Sequence, residues 1–310
     1  MALIRLFPEN TDIRFMKARM MALPVSIFLI LASLFLFFSS GLNLGIDFKG
    51  GSLLEVSFQD GPANIQAVRE GLDELNLGDV QVQEYGEPET ILIRIEEQDG
   101  GEEAQQVAIE SAKAFLSEMN IDDSRTRAEV VGPLVSAELA RSGAIAIITA
   151  LFAILIYIWV RFEWQFALGA IAATAHDVLL TIGFFALTKI DFGLSSIAAI
   201  LTIIGYSLND TVVVYDRIRE NLRRYKKMPL PDLIDLSINQ MLTRTILTSV
   251  TTLLALGSLF FFGGEVMESF TAGMLWGVFI GTFSSIFVAG PILIWLGLKR
   301  KNSEDKEAVT

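Results

Sequence analysis

Four side chains in this 310-residue sequence have the types and placement to handle protons inside an apolar setting: Asp210, Arg244, His176 and Asp177. Asp210 lies in Ile203-Ile204-Gly205-Tyr206-Ser207-Leu208-Asn209-Asp210-Thr211-Val212-Val213-Val214-Tyr215-Asp216, a run that reads as a membrane span. It comes six residues before Asp216, which places it about 9 Å deeper than that end of the span. A carboxylate there is expensive and generally faces a polar pathway or a partner. Arg244 opens the next apolar run, Thr243-Arg244-Thr245-Ile246-Leu247-Thr248. Burial favours the neutral form of a carboxylic acid, and a nearby guanidinium favours the charged form. An acid balanced between the two can take a proton from one side and release it when the arginine approaches. A static acid–base pair that orders the helices is the alternative.

Arg244 keeps its own proton. Its role would be electrostatic, biasing Asp210 and blocking leak, unless it only snorkels to lipid phosphate at the end of the span. Tyr206, one turn before Asp210, and the adjacent Asn209 could support the acid. Thr245, Thr248, Ser249 and Thr252 recur at helical spacing; such a stripe lines a hydrated path or bonds back to its own helix. His176 is the sole histidine and is followed by Asp177 in another apolar run. Imidazole titrates near neutral pH, which suits a relay. Neighbours on a helix point about 100° apart, so the two need not form a dyad, and packing explains the histidine equally well.

These residues require membrane-spanning helices to position them. The chain is 52% hydrophobic and contains 22 Phe. Six segments are long and apolar enough to cross about 30 Å of hydrocarbon. They are predicted at 21–40, 143–160, 167–187, 193–214, 244–262 and 270–297. The first resembles a signal peptide in its basic flank, but its apolar run is longer than a leader's, so an uncleaved span is expected. Sixteen of the 24 basic residues fall before the first span, between the second and third, between the fourth and fifth, at the entry to the fifth (Arg244), or after the sixth. By the positive-inside rule both termini, residues 1–20 and 298–310, are cytoplasmic, as is the loop 215–243. Pro229 and Pro231 in that loop precede an amphipathic stretch, Leu233 to Met241, expected to lie along the interface.

Residues 41–142 then form one extracytoplasmic domain. Within 43–142 there are 21 acidic and 7 basic residues, a balance that argues against nucleic acid or anionic lipid as a partner. The chain has no cysteine, so this domain must be held by its core. Alternating strands are predicted at 53–58, 80–83, 90–95 and 128–131. Helices are predicted at 63–75, with Ile65, Val68, Leu72 and Leu75 inward, and at 102–118, with Val107, Ala108, Ala112 and Phe115 inward. The order β-α-β-β-α-β is the ferredoxin-like α+β pattern. The domain has no histidine, no cysteine and no catalytic constellation, so a binding or structural module is expected.

Two joints connect this domain to the spans. Gly45-Ile46-Asp47-Phe48-Lys49-Gly50-Gly51 follows the first, and Val131-Gly132-Pro133 precedes the second. Gly45, Asp47, Gly50, Gly51, Gly132 and Pro133 could form a hinge, or simply make turns. In the sixth span, Gly273, Gly277 and Gly281 make a ridge that admits another helix closely, from this chain or a partner.

The runs Gly41–Gly51 and Gly205-Tyr-Ser-Leu-Asn-Asp-Thr-Val-Val-Val-Tyr-Asp-Arg-Ile-Arg-Glu-Asn221, with Val131-Gly132-Pro133 and His176-Asp177, resemble the SecF branch of the SecD/SecF family, within the RND superfamily. The resemblance covers about residues 14–298. It implies an RND-type half of six spans in the bacterial inner membrane, paired with SecD beside the SecYEG channel. It implies use of the proton motive force to draw preproteins outward after SecA has pushed them. It also implies that Asp210 and Arg244 belong to the proton pathway. The alternatives are an RND-type exporter of lipids or small solutes and a passive scaffold for the SecY channel. There is no P-loop and no metal-ligand cluster in the sequence, so no catalytic residue, metal or cofactor is expected.

Overall fold

The computed structural model describes residues 11–59, 61–119, 121, 126–264 and 267–298. Arg5, the turn residue Asp60 and the basic tail Lys299, Arg300, Lys301 and Lys306 lie outside them. Six helical segments are long and apolar enough to cross a membrane. They are α1 (Phe15–Ser40), α5 (Pro133–Arg161), α6 (Trp164–Thr188), α7 (Leu194–Arg224), α8 (Leu230–Phe262), and α9 (Glu268–Phe287) continued by α10 (Ala289–Trp295). Sequence punctuation sets their ends. Pro133 and Pro229 stand where a missing N–H does no harm, and Gly41 turns out of α1 at φ 66°. The break at Val288 follows from Pro291, which cannot donate to the carbonyl of Phe287.

α6 and α9 are mostly buried, whereas α1, α5 and α8 leave most of their apolar surface open. α7 packs most extensively on α9. The glycine ridge of α9 faces inward within this chain. A Cβ at Gly277 would overlap Ile203 of α7, one at Gly273 would lie 2.9 Å from Phe185 of α6, and one at Gly281 would lie 3.1 Å from Ser207.

α8 differs from expectation. The stretch 233–241 is not a separate interfacial helix but the opening turns of one 33-residue helix, because neither proline nor glycine interrupts the chain from Asp232 to Leu256. Those turns hold the start of α1: Asp235 Oδ1 accepts from Met16 N at 2.8 Å, and Asn239 bonds both N and O of Ile13. The first unpaired N–H groups of α1 are thereby satisfied from another helix.

Between α1 and α5 the chain forms a four-stranded antiparallel sheet, β1 (Gly51–Ser57), β2 (Val80–Tyr85), β3 (Glu87–Ile95) and β4 (Arg127–Val131), in the order β2-β3-β1-β4. A four-residue turn of helix, α2 (Ile46–Lys49), precedes it, and α3 (Ile65–Glu74) and α4 (Gly101–Ser117) cover one face. This is the ferredoxin-like arrangement. Its core is Leu54, Val56, Val68, Leu72, Ile91, Ile93, Ile95, Ala112 and Leu116, all fully or almost fully buried. Two inward assignments fail. Leu75 ends α3 exposed and Leu77 takes the core place. In α4 the buried stripe is Gln105, Ala108, Ile109, Ala112 and Leu116, which rotates Val107 out to 62% exposure and leaves Phe115 only partly buried.

The ridge yields a stability prediction. Gly277→Ala places a methyl into Ile203 and is expected to destabilise the folded bundle by roughly 1–3 kcal/mol through overpacking. Gly205→Ala meets open space within a helix and should leave the bundle as stable as the parent or more stable by up to about 1 kcal/mol. Denaturation of the detergent-solubilised protein compares the two.

Candidate functional site

Two carboxylates stand inside the bundle, and hydroxyl groups serve both. Asp177 of α6 is fully buried; its Oδ1 lies 2.8 Å from His176 Nδ1, so the adjacent pair does meet. Its Oδ2 accepts from Ser284 of α9 at 2.7 Å and from Ser207 of α7. Asp210 of α7 is half-buried; Oδ1 accepts from Thr245 of α8 at 2.7 Å and Oδ2 from Ser285 of α9 at 2.7 Å. One dipeptide, Ser284-Ser285, therefore donates to both acids. Ser249 and Thr282 extend the layer between α8 and α9 at 2.7 Å.

This layer suits a group that changes protonation state. A hydroxyl rotates and can donate to a carboxylate or accept from a carboxylic acid. Ser285 has a second acceptor, the carbonyl of Thr282 at 3.0 Å, and Ser284 has that of Gly281 at 3.2 Å. Each hydrogen has somewhere to turn. Beside them His176 stacks on Phe283, and its buried Nε2 has no hydrogen-bond partner among the described residues.

The other residues singled out from the sequence divide. Arg244 is exposed near the middle of α8, in a crevice of about 400 Å³ with Tyr157, Arg161, Asp216 and Arg217. Among the described residues no ion pair within 4.0 Å joins it to Asp210; its neighbour Thr245 makes the contact. Thr248 bonds back to the carbonyls of Arg244 and Thr245, and Tyr206 reaches Thr252 only at 3.5 Å. Asn209 is exposed on α7. Ser207, Ser284, Ser285 and Thr282 were not picked out from the sequence. Their signal is the glycine ridge itself, since 284 and 285 follow Gly281 by three and four residues on the same helical face.

At the first joint, Gly50 and Gly51 have φ of 80° and 118°, and a Cβ on Gly51 would strike the carbonyl of Ile95. The pair turns the chain into β1 where no side chain fits. Gly45 and Asp47 are bonded to the α6–α7 loop: Gly45 N donates to Phe192 O at 3.0 Å, and Asp47 Oδ2 accepts from Leu194 N at 2.8 Å. Gly132 is extended, and Pro133 begins α5.

These features define a polytopic helical membrane protein with an interior polar site and one inserted α+β domain. Comparison with known proteins gives the family. Residues 111–299 match the family model described as protein export membrane protein SecD/SecF, C-terminal, and residues 35–61 match the SecD/SecF GG motif. The SecF protein translocase subunit of Cereibacter sphaeroides is 44% identical over 303 residues, covering 96% of this chain and 93% of its own. That of Rickettsia akari is 44% identical over 302 residues, with 97% of each covered. The SecDF subunit of Brucella abortus is 45% identical over 306 residues, but this chain spans only 40% of it. The crystal structure of SecDF, a translocon-associated membrane protein from Thermus thermophilus, superposes with a TM-score of 0.81 at 31% identity, over 95% of this chain and 40% of that one. The chain belongs to the SecD/SecF family of bacterial protein export membrane proteins.

The two acids should differ in their weight on stability. Asp177→Ala removes the hydrogen-bond partner of His176 and Ser207, leaves Ser284 only the carbonyl of Gly281, and is expected to cost roughly 3–5 kcal/mol, as for a broken buried pair. Ser285→Ala removes one neutral donor from a half-buried acid and should cost about 1–3 kcal/mol. Unfolding titrations in mixed micelles rank them.

Proposed function

We propose that this chain is the SecF-type half of a preprotein translocase accessory complex. With SecD it uses the proton motive force to complete translocation through SecYEG after SecA-driven initiation. The observation that carries the proton coupling is Asp210, an acid within the bundle whose two oxygens, among the described residues, are met by hydroxyls, from α8 and α9. On taking a proton at Oδ2 it becomes a donor to Ser285, which turns its hydrogen to Thr282 O, while Oδ1 becomes a neutral carbonyl oxygen and its bond from Thr245, which ties α7 to α8, weakens. His176 and Asp177 complete the polar interior, and Arg244 sets the electrostatic bias from the bundle's end. The distribution of basic residues supports cytoplasmic termini and an inserted domain outside.

A partner half is supported by α7 itself. Thr202, Gly205 and Asn209 lie on an open face, and the Asn209 side chain makes no hydrogen bond among the described residues. Hydrocarbon satisfies an amide poorly, whereas a second bundle can supply partners. The SecDF relatives carry this segment as 40% of a longer chain, which fits SecD as that bundle. The inserted domain, with 21 acidic and 7 basic residues within 43–142, is unsuited to binding nucleic acid.

The reading is tested by preprotein translocation into vesicles after SecA-driven initiation, with an imposed proton gradient, using Asp210→Asn assembled with SecD. The gradient-driven step is expected to fall at least tenfold, corresponding to about 1.4 kcal/mol or more, while assembly and ATP-driven initiation persist. An undiminished response to the gradient would make Asp210 a structural residue.

A further inference from the structure

The sheet domain and the segment leading into it meet the bundle at the short α6–α7 loop, residues 189–193, as well as through α2 on α5, and the contacts at the loop are directional. Arg94 of β3 holds Asp191 through two parallel bonds, Nη1 to Oδ1 and Nη2 to Oδ2, each 2.9 Å. Asp47 accepts from the backbone N–H of Leu194, the first residue of α7, at 2.8 Å. Phe192 N donates to Asn43 O at 2.8 Å and Gly45 N donates to Phe192 O at 3.0 Å, so the loop pairs like a strand with the segment leading to the sheet. Lys189 Nζ donates to the carbonyls of Ser40 and Gly41 at 2.7 and 2.9 Å.

The packing leaves no slack. A Cβ at Gly45 would sit 2.9 Å from Asp191 Oδ2, and one at Gly193 would sit 2.7 Å from Asp47 Oδ2. Phe192 is buried between Phe48 and Phe185, with ring centroids 6.0 and 5.2 Å away. A single hydrogen bond permits rotation; a guanidinium held by both oxygens fixes orientation as well as distance. The carboxylate at the start of α7 adds to this by satisfying one of the N–H groups that a helix leaves unpaired there.

α7 runs unbroken from Leu194 to Arg224 with no proline, so Asp210 lies about 24 Å along the same rigid element from this junction. We infer that Arg94, Asp191 and Asp47 are positioning residues that fasten the sheet domain to the head of α7, so that domain and α7 move as one body. The functional part of this inference rests on Asp210 as the proton-carrying group. The segment 43–49 is then a clasp rather than a swivel, whereas at the other connection, Gly132, nothing among the described residues lies within 4 Å of the position of a Cβ.

The chain contains no cysteine, so a reporter pair can be introduced cleanly. Spin labels at Glu110→Cys on α4 and Ala198→Cys on α7, both exposed, report the domain-to-α7 distance in the complex with SecD in liposomes. One narrow distance distribution is expected. Arg94→Gln should broaden or displace it, Arg94→Lys should do so less, and the swapped pair Arg94→Asp with Asp191→Arg should restore it. An unchanged distribution in Arg94→Gln overturns the clasp, as does failure of the swap to restore it while the protein remains assembled. In the translocation assay Arg94→Gln should lower the gradient-driven rate at least fivefold, and the swap should return it to within twofold. Broadening without any loss of rate would overturn the coupling role while leaving the proton reading intact. If Asp210→Asn alone proves harmless, the proton reading fails and the distance measurement still decides the clasp.

Discussion

Inside hydrocarbon a polar side chain has no solvent to satisfy it, and every donor and acceptor must be answered by the protein. The bundle meets that demand for two carboxylates with one layer of hydroxyls. Asp177 draws on α7 and α9, and Asp210 draws on α8 and α9. α6 and α9, which bear Asp177 and the two serines, are the most deeply buried helices, and α7 packs most extensively on α9. Hydroxyls rather than fixed amides or guanidinia fill the layer, and this is what lets an acid in it be charged or neutral without stranding a partner.

Much of this was legible in the residues. Six apolar runs, the alternating strands and the amphipathic helices give the architecture, because hydrophobic period and length are local properties of a chain. Asp210, His176 and Asp177 stand out because ionisable groups are conspicuous against an apolar background. Their partners do not: a serine among glycines and phenylalanines reads as a helix-packing residue, and only the helix phases of three segments at once place Ser284 and Ser285 between the acids. The neighbour relation of Thr245 and Arg244 shows the same limit. The charge attracts notice, yet the hydroxyl beside it makes the bond. In α4 the miss was one of phase, since Val107 and Ala108 are adjacent and the stripe runs through the second.

The first joint illustrates a different ambiguity. Glycine-rich sequence is compatible with freedom and with crowding, and composition does not distinguish them. Here Gly45 and Gly51 are places where backbone or carboxylate of a neighbouring segment occupies the space a side chain would need. The partners that crowd them, Asp191 and Ile95, are distant in sequence, so the tight fit appears only once the α6–α7 loop and β3 are folded against the joint.

The glycine ridge of α9 has a metrical role beyond packing. Serine is the shortest side chain that carries a hydroxyl, and it can bridge two helices only if their backbones come unusually near. Gly273, Gly277 and Gly281 hold α9 against α6 and α7 at that spacing, and Ser207 and Ser284 converge on the same oxygen of Asp177 across it. The ridge thus acts as a gauge for the polar layer. A bulkier residue anywhere along it would lengthen every cross-helix bond above and below at once, so the size of a side chain that touches neither acid governs whether both remain solvated by the protein.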